Sequence, residues 1–242
     1  SEPQEGLPDR EALLFLLEAG TSETRYLAVT IGSRDERANG HLRAAVATAA
    51  PPRARVLRSR AGLVSAVYEA PAVTAAAARE EAESLRRRVS VELADERVSA
   101  GVAGPKAGTS GAYLSLLQAE QTLAVGRALR GDGSTTHFDD LGPYCFVLGQ
   151  PAADIRAFAD RMLGPLAVDA RHAELVRTLE AYLRLHGSVN AVARQLSVHR
   201  NTVRQRLRRI ARLTRADLGD ADARLALQLA ILSRAALERL AS

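Results

Sequence analysis

The sequence predicts an α+β domain over residues 24–149 followed by an all-α domain over residues 150–242, with residues 1–23 as an N-terminal segment. Three observations carry that division. Short apolar runs of strand length alternate with helical periods up to Gly149, and beyond Pro151 only helical periods remain. Glycine and proline punctuate the first part where the period changes, at Gly32, Pro51-Pro52, Gly62 and Gly131. Charge is segregated as well: residues 170–215 hold eleven arginines against Glu174 and Glu180, a net +9 inside a chain of +5. Positive charge gathered in one block is the mark of a surface that meets a polyanion.

Within residues 1–23, Ser1–Gly6 is polar and carries no element, and Asp9–Glu18 reads as a short helix capped by Asp9 and ended by Gly20. Tyr26–Ile31 is a buried strand that turns at Gly32-Ser33. Residues 36–49 form a helix stopped by the two prolines. Ala54–Arg58 and Leu63–Tyr68 are short strands around a hairpin at Ser59–Gly62. Ala72–Arg88 is an alanine-rich helix whose last residues, Arg86, Arg87 and Arg88, suit the negative end of its dipole. Val98–Ala103 is a strand, Gly104–Gly111 a glycine-rich loop, and Ala112–Arg130 a helix capped by Thr109 or Ser110. Thr135–Phe138 is the last strand. The order β-α-β-β-α-β-α-β is that of an α+β sandwich with a largely antiparallel sheet. Helices follow at Asp154–Met162, Ala170–Leu185, Ser188–Leu196, Arg200–Leu213 and Asp222–Leu240.

Composition narrows the class. Hydrophobic residues make up 47% and charged residues 25%, enough for a globular core, while 4% aromatics and no tryptophan leave that core to Leu, Val, Ala and Ile. No stretch approaches the roughly 20 apolar residues of a membrane span. Residues 1–20 lack a basic-then-apolar leader, so a cytoplasmic location without membrane contact is expected. Because the chain opens on Ser1 and not Met, a further domain upstream is expected. Cys145, the sole cysteine, rules out an intrachain disulfide and reads as a structural thiol in the apolar stretch Tyr144–Leu148. The histidines at 41, 137, 172, 186 and 199 lack metal-type spacing, so neither metal nor cofactor is expected. Lys106 is the only lysine among 33 basic residues, a bias that GC-rich coding accounts for. Coding bias does not account for the clustering.

The cluster has a pattern of its own. Ser188 caps a helix with Val189, Val192, Ala193 and Leu196 on one face, and Ser197-Val198-His199 make a tight turn. The next helix carries Val203, Leu207 and Ile210 at i, i+4 and i+7, a stripe too narrow to be buried on two sides. Its open arc presents Asn201, Arg204, Gln205 and Arg208, with Arg200, Thr202, Arg206, Arg209 and Arg212 at the margins. Arginine pairs bidentately with guanine, and Asn or Gln with adenine, in the major groove of DNA. Ser188, His199 and Thr202 sit at helix N-termini, where free amides and hydroxyls hold phosphate. Residues 188–213 therefore read as a helix-turn-helix that takes double-stranded DNA.

The stretches LVRTLEAYLRLHGSVNAVARQLSVHRNTVRQRLRRI (175–210) and LTRADLGDADARLALQLAI (213–231) resemble the C-terminal domain of the PucR/CdaR family of bacterial regulators. The family's HRNTV-x-x-RL pattern is matched by His199, Arg200, Asn201, Thr202, Val203, Arg206 and Leu207, and LGPLAVDARH (163–172) resembles its lead-in. The resemblance implies a transcription factor, commonly an activator of a catabolic or biosynthetic operon. It further implies a homodimer or higher oligomer, a small-molecule effector, and RNA polymerase as a partner. Residues 24–149 are similar to the degenerate GGDEF (cyclase-like) βαββαβ domain found in that family, ending at FDDLGPY (138–144). A working cyclase carries acids in its hairpin. Here Ser59-Arg60-Ala61-Gly62-Leu63-Val64 offers no carboxylate to hold divalent ions on a triphosphate, so no enzyme activity is expected.

Other signals have plainer readings. Lys106 lies among glycines, but Pro105-Lys106-Ala107 breaks the phosphate-loop spacing. Asp139-Asp140 read as a turn cap and not as a cation site or base. His199 has no nameable triad partner. Leu225, Leu229 and Leu232, with Leu227 and Ile231, read equally as a dimer seam or as the cover of the bundle core. An alternative of another class stands beside the regulator: a nucleotide-binding sensor or enzyme on the cyclase-like domain, with the helical tail as an oligomerisation unit.

Overall fold

A computed structural model describes residues 21–58 and 62–240. The helix expected at Asp9–Glu18 and the hairpin tip at residues 59–61 lie outside the described residues. The chain divides into two compact units, one running to Gln150 and the other spanning Pro151–Glu238.

The first unit is built on a five-stranded sheet in the order β2-β3-β1-β4-β5. β1 (Arg25–Gly32) is central, and all its residues after Arg25 are buried. Such burial on both faces requires an uninterrupted run of apolar and small residues. β1 pairs antiparallel with β3 (Val64–Glu69) and with β4 (Ser99–Ala107). β2 (Arg55–Arg58) pairs antiparallel with β3 at one edge, and β5 (Thr135–His137) runs parallel to β4 at the other. The pleat sends Leu27, Val29 and Ile31 to a face covered by α1 (Glu36–Ala49) and α2 (Ala75–Leu93), whose Leu42, Val46, Leu85 and Val89 complete the core.

α3 (Gly108–Arg130) covers the other face, where small residues replace large ones. Thr30 and Ser65 share a buried hydroxyl–hydroxyl hydrogen bond of 2.8 Å there. A Cβ at Gly101 would collide with the backbone of Ala119 and Leu123, so only glycine lets α3 lie this close to β4.

Three expectations need correction. The glycine-rich loop at Gly104–Gly111 does not form: β4 runs on to Ala107, and α3 starts at Gly108, leaving Thr109 and Ser110 inside its first turn. Tyr26 pairs with Lys106 but Ala28 with Ala103, so β4 holds one extra residue at Gly104-Pro105, a bulge that spares proline a ladder donor. Arg86–Arg88 are not the end of α2, which continues to Leu93 and stops where Ala94 turns left-handed at φ 49°. Phe138 to Phe146 form two unexpected 3-10 turns separated by a kink at Gly142. There Asp140 receives two bonds from Arg79, at 2.6 and 3.0 Å, instead of capping a turn. Cys145 is half-buried and its Sγ donates to Phe138 O at 2.9 Å.

Glu83 gives two of these arginines a partner on their own helix. Its carboxylate accepts from Arg86 at 2.8 and 2.9 Å, from Arg87 at 2.6 Å, and from the Thr135 hydroxyl of β5 at 2.6 Å. The Arg86 guanidinium foremost, with Thr135 and Arg87, holds this carboxyl down to about 2 against the opposing push of burial. A carboxyl depressed in the folded state stabilises it above the ordinary glutamate range, and that contribution is lost as pH falls towards 2. Urea unfolding of Glu83→Gln is expected to show a lower midpoint than the wild type at neutral pH. The gap should close as pH drops below ~4. An unchanged gap at acid pH would contradict this coupling.

Candidate nucleic-acid interface

The second unit is helical: α4 (Ala152–Leu163), the short α5 (Pro165–Val168), a 3-10 turn (Ala170–His172), α6 (Ala173–Arg184), α7 (Val189–Gln195), α8 (Arg200–Thr214) and α9 (Ala221–Leu240). The helix expected at Ala170–Leu185 thus begins three residues later, after the 3-10 turn, and α5 is an addition to the expected order. The core gathers Leu163, Leu175, Leu179, Val192, Val203, Ile210 and Leu227. Val203 and Ile210 are fully buried and Leu207 nearly so, which fixes the opposite arc of α8 outward. α9 covers this core through Leu227 and Ala230, whereas Leu225 is 58% exposed.

Local hydrogen bonds set the angle between α7 and α8. Ser188 caps α7, its Oγ accepting from Ala191 N at 3.3 Å. At the other end Ser197 turns left-handed at φ 54°, Val198 N donates to Ala193 O at 3.0 Å, and Ser197 N donates to Arg194 O at 3.3 Å. That pair of bonds is a Schellman motif, and Val198, the residue after the turn, packs on the core as the motif requires. His199 then caps α8: Nδ1 accepts from Asn201 N at 3.2 Å, which leaves Nε2 as the protonated nitrogen of the neutral ring. Two helices joined by a four-residue turn, with the second exposed on one arc, define a helix-turn-helix.

Asn201, Arg204, Gln205, Arg208, Arg209 and Arg212 are all exposed on α8, as is Arg200 at its start, while Thr202 is half-buried. Arg204 Nη1 donates to Asn201 Oδ1 at 3.3 Å, which pre-orders two of the candidate reading groups. Among the described residues, Arg200, Arg208, Arg209 and Arg212 pair with no carboxylate. Arg206, expected at the margin of the open arc, turns inward instead. Its Nη2 lies 3.2 Å from Glu174 Oε2, its Nη1 donates to Thr178 Oγ1 at 3.3 Å, and its side chain is 22% exposed. Glu174, some thirty positions away, supplies an acceptor that helical periodicity within α8 does not reveal. Ser188 and His199 likewise use side-chain atoms for backbone caps. Arg171, which the sequence pattern does not single out as a DNA contact, stands beside α8 on the rim of the same face.

Residues 175–233 match the PucR C-terminal helix-turn-helix domain. The C-terminal unit thus carries a helix-turn-helix of the PucR type. Over 79 residues the chain is 42% identical to an uncharacterised protein in the pkwA 5′ region of Thermomonospora curvata, covering 32% of this chain and 44% of that one. An uncharacterised protein of Mycobacterium tuberculosis is 42% identical over 78 residues, 32% of this chain and 18% of that one. The chain therefore spans less than half the length of these relatives. A regulator of polyketide synthase expression from Bifidobacterium adolescentis aligns over 94% of this chain and 91% of its own at 20% identity, with a TM-score of 0.40. That score is too low to support a shared arrangement of the whole chain. No helix among the described residues is long and apolar enough to cross a membrane.

Val203→Asp is expected to abolish the cooperative unfolding transition of the helical unit, because an unpaired carboxylate would enter a site with no exposed surface. Asn201→Ala, on the open arc, should leave that transition within about 0.5 kcal/mol of wild type. Thermal circular dichroism of the two variants decides it. A folded Val203→Asp unit would contradict the packing described.

Proposed function

We propose that the protein binds duplex DNA sequence-selectively through α8 and acts as a transcriptional regulator. The observation that carries this reading is the outward arc of α8, where Asn201, Arg204, Gln205 and Arg208 stand exposed with no acid anywhere on the helix. A helix about 10–12 Å across fits the major groove, and these side chains match the donor and acceptor edges of guanine and adenine there. Arg209 and Arg212 flank the readers and meet phosphates, while the Ser188 and His199 helix starts lie against the backbone through their remaining amides.

The similarity to PucR-type domains supports the finer parts of the reading. The protein works as a homodimer or higher oligomer in the cytoplasm, answers a small-molecule effector, and activates a metabolic or biosynthetic operon by engaging RNA polymerase. The α+β unit serves assembly or signal relay. It turns over no nucleotide, a reading supported by the carboxylate-free sequence Ser59–Val64. Incubation of purified protein with GTP and magnesium should yield neither pyrophosphate nor cyclic dinucleotide, and detection of either would contradict the assignment.

Alanine at Arg204 or Gln205 should relax base preference at particular positions, by ~1–3 kcal/mol for each bidentate pair with a base that the substitution removes. Alanine at Arg209 or Arg212 should weaken all duplexes alike and flatten the dependence of affinity on salt. Fluorescence anisotropy on specific and scrambled duplexes, with circular dichroism as a folding control, measures both. If well-folded Arg204→Ala and Gln205→Ala keep wild-type affinity and selectivity, α8 is not the reader.

A further inference from the structure

The flank of α8 that faces α6 is not flat. A groove of about 970 Å³ runs there, walled on one side by Arg171 and Glu174 and on the other by Thr202, Gln205, Arg209 and Arg212. Its one acid is already engaged. Glu174 Oε2 lies 3.2 Å from Arg206 and Oε1 3.3 Å from Arg177, so the carboxylate is shared between two guanidinium groups. The α8 wall therefore carries positive charge in Arg209 and Arg212, without a carboxylate partner among the described residues, and Arg171 stands opposite them.

Arg171 is pre-set for a ligand outside the protein. Asp169 caps the 3-10 turn through Arg171 N at 2.9 Å and grips one edge of the same residue's fork, at 3.0 and 3.1 Å from Nε and 2.9 Å from Nη2. That leaves Nη1 and one N–H of Nη2 directed away from Asp169, on a side chain that is 90% exposed. Exposed ion pairs of this kind hold geometry at little net gain in energy, so an arriving anion shares the fork and need not break it.

We infer that this groove seats one sugar-phosphate strand of the DNA bordering the recognition helix, with Arg171 as an outer phosphate clamp opposite Arg209 and Arg212. The inference rests on the reading of α8 as a DNA-binding helix. A helix lying in the major groove has a phosphate ridge along each flank, and the flank carrying Thr202 and Arg209 is the one this groove opens on. Arg171 thereby widens the footprint beyond the helix-turn-helix without reading any base.

The test uses the full chain and a mixed-sequence duplex of about three helical turns, with affinity measured across a salt series. Arg171→Ala should bind more weakly on every sequence, with a log–log salt slope shallower by about 0.9, the value for one phosphate neutralised. Arg171→Glu should weaken binding further. Arg184→Ala, an exposed arginine of α6 outside the groove, should match wild type in both respects. A wild-type slope for Arg171→Ala, alongside a flattened slope for Arg209→Ala, would overturn the clamp while leaving α8 as the DNA-binding helix. Wild-type slopes for both variants, or no binding by the wild type, would overturn the clamp together with the reading it rests on.

Discussion

The buried seam of α8 is the constraint on which the functional surface depends. Val203, Leu207 and Ile210 recur at helical spacing and pack against Leu175, Leu179 and Val192, and once they are inside, the rotation of α8 about its own axis is fixed. No separate interaction is needed to turn Asn201, Gln205 and Arg208 outward, because they lie on the far side of the same cylinder. The Schellman bonds at Ser197 and Val198 fix the remaining freedom, the crossing angle with α7. A helix with this many arginines has little reason to fold alone, and burying the aliphatic stripe is what offsets the mutual repulsion of its cations.

Charge then divides into structural and available sets. Arg206 and Arg177 are held by Glu174 of α6, while Arg171 belongs to both sets, gripped by Asp169 on one edge of its fork and open on the other. Arg200, Arg208, Arg209 and Arg212 have no such partner among the described residues. The paired set stiffens the rim of the groove, and the unpaired set leaves a field for a polyanion. The α+β unit holds several matched arginines of its own: Arg86 and Arg87 with Glu83, Arg79 with Asp140, and Arg97 with Asp35 and Asp95.

What the sequence made legible was local. Helix periods, caps and turns in residues 188–214 depend on neighbours within five positions, and the observed α7 and α8 keep the expected caps and buried stripe. The central strand β1 was legible because burial on two faces demands an apolar run. What escaped depended on distant partners. Gly104-Pro105 read as a loop because the β1 residues that pair with the extended end of β4 lie about eighty positions upstream. The extension of α2 past Arg88 was hidden because Glu83 and the carbonyl of Val98 give Arg86 a partner other than the helix end. Arg206 looked like a surface residue for the same reason, since nothing near it in the chain announces Glu174 and Thr178.

The most direct test of the central claim is selection of bound duplexes from a random-sequence pool by this chain at moderate salt. The account predicts recovery of a recurrent motif. For a dimer that motif is two half-sites whose centres lie ~10 bp apart or a multiple of it. Recovery of duplex without any enriched motif, by protein shown to be folded, would contradict the assignment of α8 as a reader of sequence.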